Sequence, residues 1–254
     1  MDPLAQALQG AHHSPRPTLR PLETALVVGA GGTLGSAVLA EALVAGRFQR
    51  VAAVVTGPLA SAVRGFEALP AARLQAPAAL GLDIAFLVFE RERHSNGRDD
   101  AFLQPDPGEL LPLAQALREV GVRRLLVVLP HAPALLPQAL AHGFASHDEG
   151  AVAALGFEQV VFVRAAQAAA GTAAGHGLQR FAAWWLSQLR WMVPQRQQPV
   201  RAVRLAQLVV QLARRLPEAP PGTRVLPAEV LWDAAQAASP ESTLDAWLHQ
   251  TRHP

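Results

Sequence analysis

The chain has 254 residues, of which half are apolar, and this suits one large α/β domain or one domain with a small appended part. All 22 basic residues are arginine and the formal net charge is only +2, so the charge does not indicate a nucleic-acid partner. Cysteine, tyrosine and lysine are absent, which excludes disulfides, thiolate nucleophiles, cysteine metal sites and two common catalytic residue types.

The N-terminal residues 1–22 are expected to form a flexible tail. They contain Asp2, a pair of histidines and three prolines before Arg20, and they lack the basic-then-apolar order of a secretory signal. No apolar run in the chain reaches the length of about 18 residues that a membrane span requires. We therefore expect a cytoplasmic protein without a membrane partner.

Strand and helix patterns alternate from residue 23 to residue 170. Short apolar runs predict strands at Ala25–Gly29, Arg50–Val55, Asp83–Phe89, Arg123–Leu129 and Gln159–Arg164. Helical periodicity predicts helices at Leu34–Leu43, Pro58–Phe66, Pro107–Val120 and His147–Leu155. This alternation indicates a doubly wound, Rossmann-like parallel sheet, and residues 23–170 are assigned to an NAD(P)-binding domain.

Residues 171–254 are assigned to a mostly helical C-terminal part that packs on the same domain and faces a substrate or partner. The pattern predicts helices at Leu178–Met192, Ala202–Leu216 and Leu244–Leu248, and a last strand at Thr223–Leu226. The first of these helices carries a tryptophan cluster, which is typical of core packing and also suits the edge of a pocket or a surface for a partner helix.

A glycine-rich turn follows the first predicted strand. Gly29 would permit the tight turn, Gly32 would let the backbone approach phosphate oxygens, and Gly35 would let the helix pack against the strand. The helix N-terminus would then offer free N–H groups and positive potential to a pyrophosphate. The predicted phosphate-binding residues are Gly29, Gly31, Gly32, Thr33, Leu34 and Gly35. The alternative is a glycine turn that binds nothing, and the prediction requires that these backbone amides be open to a ligand.

The end of the second predicted strand, Val55-Thr56-Gly57-Pro58, carries no acid that could select NAD through the ribose 2′-hydroxyl. Arg64 could meet the 2′-phosphate of NADP, because a guanidinium matches phosphate geometry. We therefore predict NADP in preference to NAD, with Thr56 and Arg64 near the ribose. A solvated surface arginine is the alternative for Arg64.

With its Gly-x-x-Gly-x-x-Gly spacing, the chain resembles the atypical short-chain dehydrogenases/reductases, especially the NmrA-like and Tat-interacting-protein-like NAD(P)H-binding branch. Three further stretches are similar to strands of that branch: Asp83–Asp106, Gly121–Pro130 and Ala154–Arg164. Val200–Gln211 is similar more loosely. The resemblance implies a bound dinucleotide, with a contact from Phe89 where the fourth strand meets the cofactor loop.

The catalytic residues of that family do not carry over. The family uses a tyrosine and a lysine four residues later, and these positions fall near Ala141 and Ala145, or near Phe144 and Asp148 with a short gap. A serine that often ends the fifth strand falls near Leu129. Since the 254 residues contain neither tyrosine nor lysine, no realignment restores the usual proton donor.

A substitute proton donor could come from the residues after the fifth predicted strand. His147 with Asp148 is the pair that we would test first, because a histidine can act as a general acid at neutral pH. The alternative, that Ser146 caps a helix whose dipole Asp148 favours, explains the same residues without chemistry. His131, His142 and His147 match no recognised metal-ligand spacing, so no metal site is predicted.

Three functions follow from these observations. The first is a dinucleotide-binding protein that senses cofactor or regulates a partner without conventional dehydrogenase chemistry. The second is an NAD(P)H-dependent oxidoreductase with a substitute proton donor, and the third is a structural or assembly factor that no longer binds cofactor. The sequence identifies no substrate, pathway or protein partner, and it leaves a homo-oligomer open.

Overall fold

The computed structural model describes residues 22–59, 63–76, 79–90, 99–131, 148–166 and 200–249. Seven strands form one sheet in the order β3-β2-β1-β4-β5-β6-β7, and every neighbouring pair is parallel. The strands are β1 Glu23–Val28, β2 Phe48–Val55, β3 Phe66–Pro70, β4 Ile84–Val88, β5 Arg124–His131, β6 Gln159–Ala166 and β7 Gly222–Leu226. The predicted α/β, Rossmann-like fold is confirmed.

Helices cover both faces of the sheet. They are α1 Thr33–Val44, α2 Leu110–Glu119, α3 Ala202–Arg215, α4 Ala228–Gln236 and α5 Pro240–His249. Residues 148–153 are also helical. Helices α1 and α3 pack against each other, and β7 extends the sheet beyond β6, so residues 200–249 share the core of the preceding strands.

The core has two layers, one on each side of the sheet, because successive strand residues point to opposite faces. In β1, Ala25 and Val27 pack with α1 and α3, whereas Leu26 and Val28 pack with α2. All four are fully buried. This explains why β1 is an uninterrupted apolar run: both of its faces are covered.

The predicted helix Pro58–Phe66 is wrong in the part that the structure describes. Residues 58, 59, 63, 64 and 65 are not helical, and Phe66 begins the edge strand β3. Three of the five β3 residues are only half-buried and Pro70 is exposed, so the strand lacks the continuous apolar pattern of the central strands. Proline is tolerated there because the strand lies at the edge of the sheet.

The amino edge of the sheet is held together by ion pairs. Arg124 Nη1 lies 2.7 Å from Glu23 Oε1, and both side chains are more than nine-tenths buried. Asp83 accepts a hydrogen bond from the Thr24 amide at 2.9 Å and another from Arg123 at 3.0 Å. These carboxylates join strands β1, β4 and β5 where each strand begins, so this edge is structural.

The predicted helix Leu178–Met192, with its tryptophans, lies outside the described residues, as do residues 1–21. Among the helices that the structure describes, none is long and apolar enough to cross a membrane.

Candidate functional site

The glycine turn lies between β1 and α1, at the carboxyl edge of the sheet. Gly29 follows β1 with a φ of 94°, and Gly32 takes the N-cap position of α1. A glycine has no side chain with which to cap a helix, and the first turn of α1 contains no acidic residue. The N–H groups at the start of α1 therefore depend on an acceptor from elsewhere in the fold.

The three glycines of the motif serve two different purposes. A Cβ atom on Gly29 would collide with the Val88 carbonyl oxygen, and one on Gly35 would collide with the Gly29 carbonyl oxygen. These obstacles are backbone atoms, so both glycines are required by the packing of β1, β4 and α1. A Cβ on Gly32 would instead meet the Glu90 carboxylate, the mobile end of a side chain. Gly32 therefore faces the space that the Glu90 carboxylate occupies at the start of α1, which is called the crevice below.

The Glu90 carboxylate binds the N-terminus of α1. Its Oε1 accepts hydrogen bonds from the amides of Leu34 and Gly35, each at 2.8 Å. Anions are stabilised at this position by the free N–H groups and by the helix dipole. The expectation that these amides are open is therefore wrong in this structure, because the Glu90 side chain already binds the amides of Leu34 and Gly35.

The position of Glu90 follows from the alternation of side chains along β4. Val88 packs on the α1 face of the sheet and Phe89 on the α2 face, so Glu90 returns to the α1 face. Phe89 is fully buried and its N–H donates to the Val128 carbonyl at 3.0 Å. Phe89 was predicted as a cofactor contact and Glu90 was not, although the same alternation, continued by one residue, points Glu90 at the glycine turn.

The end of β2, where the ribose was predicted, is crossed by the segment 99–103. The Thr56 amide donates to the Ala101 carbonyl at 2.8 Å, and the Leu103 amide donates to the Val54 carbonyl at 2.9 Å. Phe102 forms an antiparallel bridge with Val55. The exposed Thr56 side chain makes only long contacts of 3.4 Å to this segment. Residues 99–103 thus cover the end of β2.

The structure does not bring Arg64 to the ribose position. Phe66 pairs with Val51, and the Val51 amide donates to the Gly65 carbonyl at 2.8 Å, so Arg64 lies near the level of Gln49. At about 3.3 Å per strand residue, roughly 20 Å separate that level from Thr56. Arg64 is exposed at the amino edge of the sheet, so its position gives no reason to prefer NADP over NAD.

The proposed proton-donor pair is described only in part. Asp148 is exposed at the start of the helical residues 148–153, and His147 lies outside the described residues. The neighbouring Glu149 is buried and accepts hydrogen bonds from Arg164 Nη2 through both carboxylate oxygens, at 3.2 and 2.9 Å. This ion pair ties the helical segment to the end of β6, and the sequence analysis did not anticipate it.

The remaining predicted residues lie at the turn itself. Gly31 and Leu34 are buried and Thr33 is exposed at the first position of α1. Of the three histidines considered for a metal, His131 ends β5 and the other two fall outside the described residues. In the ranges that the structure describes, no group of three or more histidine, aspartate or glutamate side chains could hold a metal ion.

The sequence matches no protein-family model and no curated protein. Solved structures with a similar fold include a Bacillus halodurans protein provisionally named an NAD-dependent epimerase/dehydratase, with a TM-score of 0.50 and 15% identity. That match covers 83% of this chain and 99% of the other.

Two further solved structures show the same kind of likeness. A nucleoside-diphosphate-sugar epimerase from Staphylococcus aureus has a TM-score of 0.48 at 15% identity, covering 84% of this chain and 77% of the other. The triphenylmethane reductase of Citrobacter sp., solved with NADP(H), has a TM-score of 0.47 at 16% identity. The latter match covers 79% of this chain and 68% of the other. At these identities the likeness concerns the fold, which is the Rossmann-like architecture described above.

Proposed function

We propose that this chain is a dinucleotide-binding protein of the atypical short-chain dehydrogenase/reductase type, and that it acts by binding NAD(P)(H) rather than by Tyr–Lys hydride-transfer chemistry. Its role is to sense cofactor or to regulate a partner. The observation that carries the proposal is the anionic group already held at the glycine turn by the amides of Leu34 and Gly35.

The glycine turn fits a phosphate-bearing ligand. Two neighbouring amides donate to a single oxygen at 2.8 Å, which is the geometry that a phosphate oxygen requires. The absence of a side chain at Gly32 leaves room for an oxyanion above the backbone, and in this structure a carboxylate stands in for it. The backbone of Gly32, Leu34 and Gly35 would therefore hold the pyrophosphate, and a bound NAD(P)H would supply a hydride.

The proposal that the chain acts by binding rests on its composition. The 254 residues contain no tyrosine and no lysine, so the usual proton donor and the residue that lowers its pKa are both unavailable. With Arg64 at the other edge of the sheet and no acid after β2 in Thr56-Gly57-Pro58, we propose no preference between NAD and NADP.

Titration of the protein with NADPH and NADH tests this function, with binding followed by calorimetry or by the fluorescence of its five tryptophans. We expect saturable binding. Gly32→Val should weaken it by at least about tenfold, because the added side chain fills the space of the pyrophosphate. The matched control is Gly150→Val, since a Cβ at Gly150 meets nothing within 4 Å. Unchanged affinity in Gly32→Val would contradict the assignment of the phosphate site.

The structural or assembly factor is the second candidate, and the Glu90 contact favours it as well. A carboxylate that satisfies the α1 amides removes the need for a ligand at the turn. No binding at millimolar cofactor, by the wild type and by a variant without the Glu90 carboxylate, would exclude the two cofactor-dependent functions and leave this candidate. Turnover of NADPH with a panel of aldehydes, ketones or quinones would instead favour an oxidoreductase with a substitute proton donor, and loss of that turnover in His147→Ala would identify the donor.

A further inference from the structure

We propose that Glu90 is a built-in competitor of the cofactor: its carboxylate occupies the pyrophosphate position and must leave before a dinucleotide binds. This inference rests on the proposed function and adds to it a form of self-regulation. Oε1 of Glu90 takes both N–H groups, from Leu34 and Gly35, that a phosphate oxygen would need. The two anions cannot share these donors, so occupancy by one excludes the other.

The location of the carboxylate is specific. It lies above Gly32, within the space that a Cβ at that position would occupy. That space is where the missing side chain lets the backbone approach a pyrophosphate. A carboxylate that merely capped the helix from its outer side would not fill the gap over Gly32. Glu90 therefore takes both the donors and the volume of the ligand.

Glu90 can withdraw without disturbing the fold. Its backbone is anchored by the preceding Phe89, which is fully buried and bonded to Val128. The glutamate side chain rotates about several single bonds, and such rotamer changes of partly exposed residues are fast. Release of the α1 N-terminus therefore requires movement of one side chain, while β4 and the turn stay in place.

The charge of Glu90 sets the direction of its effect. While the Glu90 carboxylate is bound to the amides of Leu34 and Gly35, it occupies the positive end of the helix dipole. After it leaves these amides, it would remain close to a doubly charged pyrophosphate and repel it. Both effects weaken the binding of anionic ligands. The apparent affinity is lowered because only the molecules whose Glu90 side chain has left the amides can bind the ligand. A ligand fragment without phosphate does not meet this competition.

The test compares the wild type with Glu90→Gln and Glu90→Ala, using NADPH, inorganic pyrophosphate and adenosine as probes in calorimetric titrations. Glutamine keeps an oxygen that can accept from the amides but removes the charge, and alanine removes both. We expect the affinity for NADPH and pyrophosphate to rise roughly tenfold in Glu90→Ala and by a smaller factor in Glu90→Gln. The affinity for adenosine should stay unchanged in both variants.

Glu109→Gln is the matched control, because it makes the same chemical change in the turn that leads into α2, and it should leave all three affinities unchanged. If the wild type binds NADPH and both Glu90 variants bind it with equal or lower affinity than the wild type, Glu90 is not a competitor of the cofactor. The proposed function is not affected by that result. A rise in adenosine affinity equal to the rise in NADPH affinity would also contradict the competition, since Glu90 would then block the site by its size alone. If neither the wild type nor Glu90→Gln nor Glu90→Ala binds NADPH, the proposed function itself is wrong. Glu90→Gln keeps the test valid if Glu90→Ala fails to fold.

Discussion

The N-terminus of α1 and the 3₁₀ turn Pro107–Glu109 that leads into α2 are capped in opposite ways. In the turn that leads into α2, Asp106 accepts from the Gly108 amide at 3.0 Å, and Glu109 accepts from the Asp106 amide at 2.8 Å. This capping box is local and lies within four residues. The start of α1 has a glycine at the N-cap and no acid in its first turn, and its carboxylate comes from Glu90, more than fifty residues away.

This difference separates a structural cap from a potential binding site. A local cap satisfies part of the free N–H groups of a helical turn and leaves fewer for a ligand, whereas an N-terminus whose sequence provides no cap depends on an acceptor from the fold or the solution. At α1 the fold brings a carboxylate. Substitutions at each N-terminus test this difference.

The largest effect is expected for Gly35→Ala. Its Cβ would collide with the Gly29 carbonyl oxygen, so the backbone of β1 or α1 must shift, and this should lower the free energy of unfolding by about 3 kcal/mol. Denaturant titration measures the loss. A change below about 0.5 kcal/mol would show that the turn and α1 are not packed as closely as described.

Gly32→Ala is the counterpart that isolates the crevice. Its Cβ meets only the Glu90 carboxylate, and a φ of −96° is open to any residue, so the side chain can move away. We expect the free energy of unfolding to fall by about 1 kcal/mol, mainly through loss of the cap. A loss as large as that of Gly35→Ala would contradict the division of the glycines into structural and crevice-facing.

Removal of each cap should have a similar effect on stability and a different effect on binding. Glu90→Ala and Asp106→Ala should each lower the free energy of unfolding by about 1 kcal/mol, because each removes an acceptor for helix N–H groups. Thermal unfolding with and without NADPH compares them. NADPH should raise the Tm of Glu90→Ala more than that of Asp106→Ala, and equal increases would remove the functional distinction between the two N-termini.

The smallest effect is expected for Arg64→Ala. The roughly 20 Å between its level and Thr56 exceeds the Debye length of about 8 Å at physiological ionic strength. The ratio of the NADPH and NADH dissociation constants should therefore change by less than about twofold. A larger change, measured by parallel titrations of both cofactors, would restore Arg64 to the ribose site and contradict its position beside Gln49.

The parts of the fold that could be predicted are those buried on both faces. The run Ala25-Leu26-Val27-Val28 is apolar because each residue enters one of the two core layers, and such a run is typical of a central parallel strand. Strand β3 escaped prediction because an edge strand needs little apolar surface, and Phe66–Pro70 includes a glutamate and a proline. The spacing of Gly29, Gly32 and Gly35 located the turn correctly between β1 and α1.

The contents of the site depend on contacts that sequence proximity does not reveal. The bond between Glu90 and the Leu34 amide joins the residues after β4 to the start of α1, and their adjacency follows from the pairing of β1 with β4 in the sheet. Arg64 was associated with Thr56 because the two are close in sequence, yet the parallel register of β2 and β3 carries Arg64 to the other edge. The order of the strands thus decided the position of Glu90, and the register of β2 and β3 decided that of Arg64.

The most direct test of the account is the backbone amide spectrum of the protein during titration with NADPH. We expect the ¹H–¹⁵N resonances of Leu34 and Gly35 to shift as the pyrophosphate replaces the Glu90 carboxylate, and to shift at lower NADPH concentration in Glu90→Gln. The Gly108 amide on the locally capped N-terminus should not move. Saturating NADPH that leaves Leu34 and Gly35 unchanged in both proteins would contradict the account.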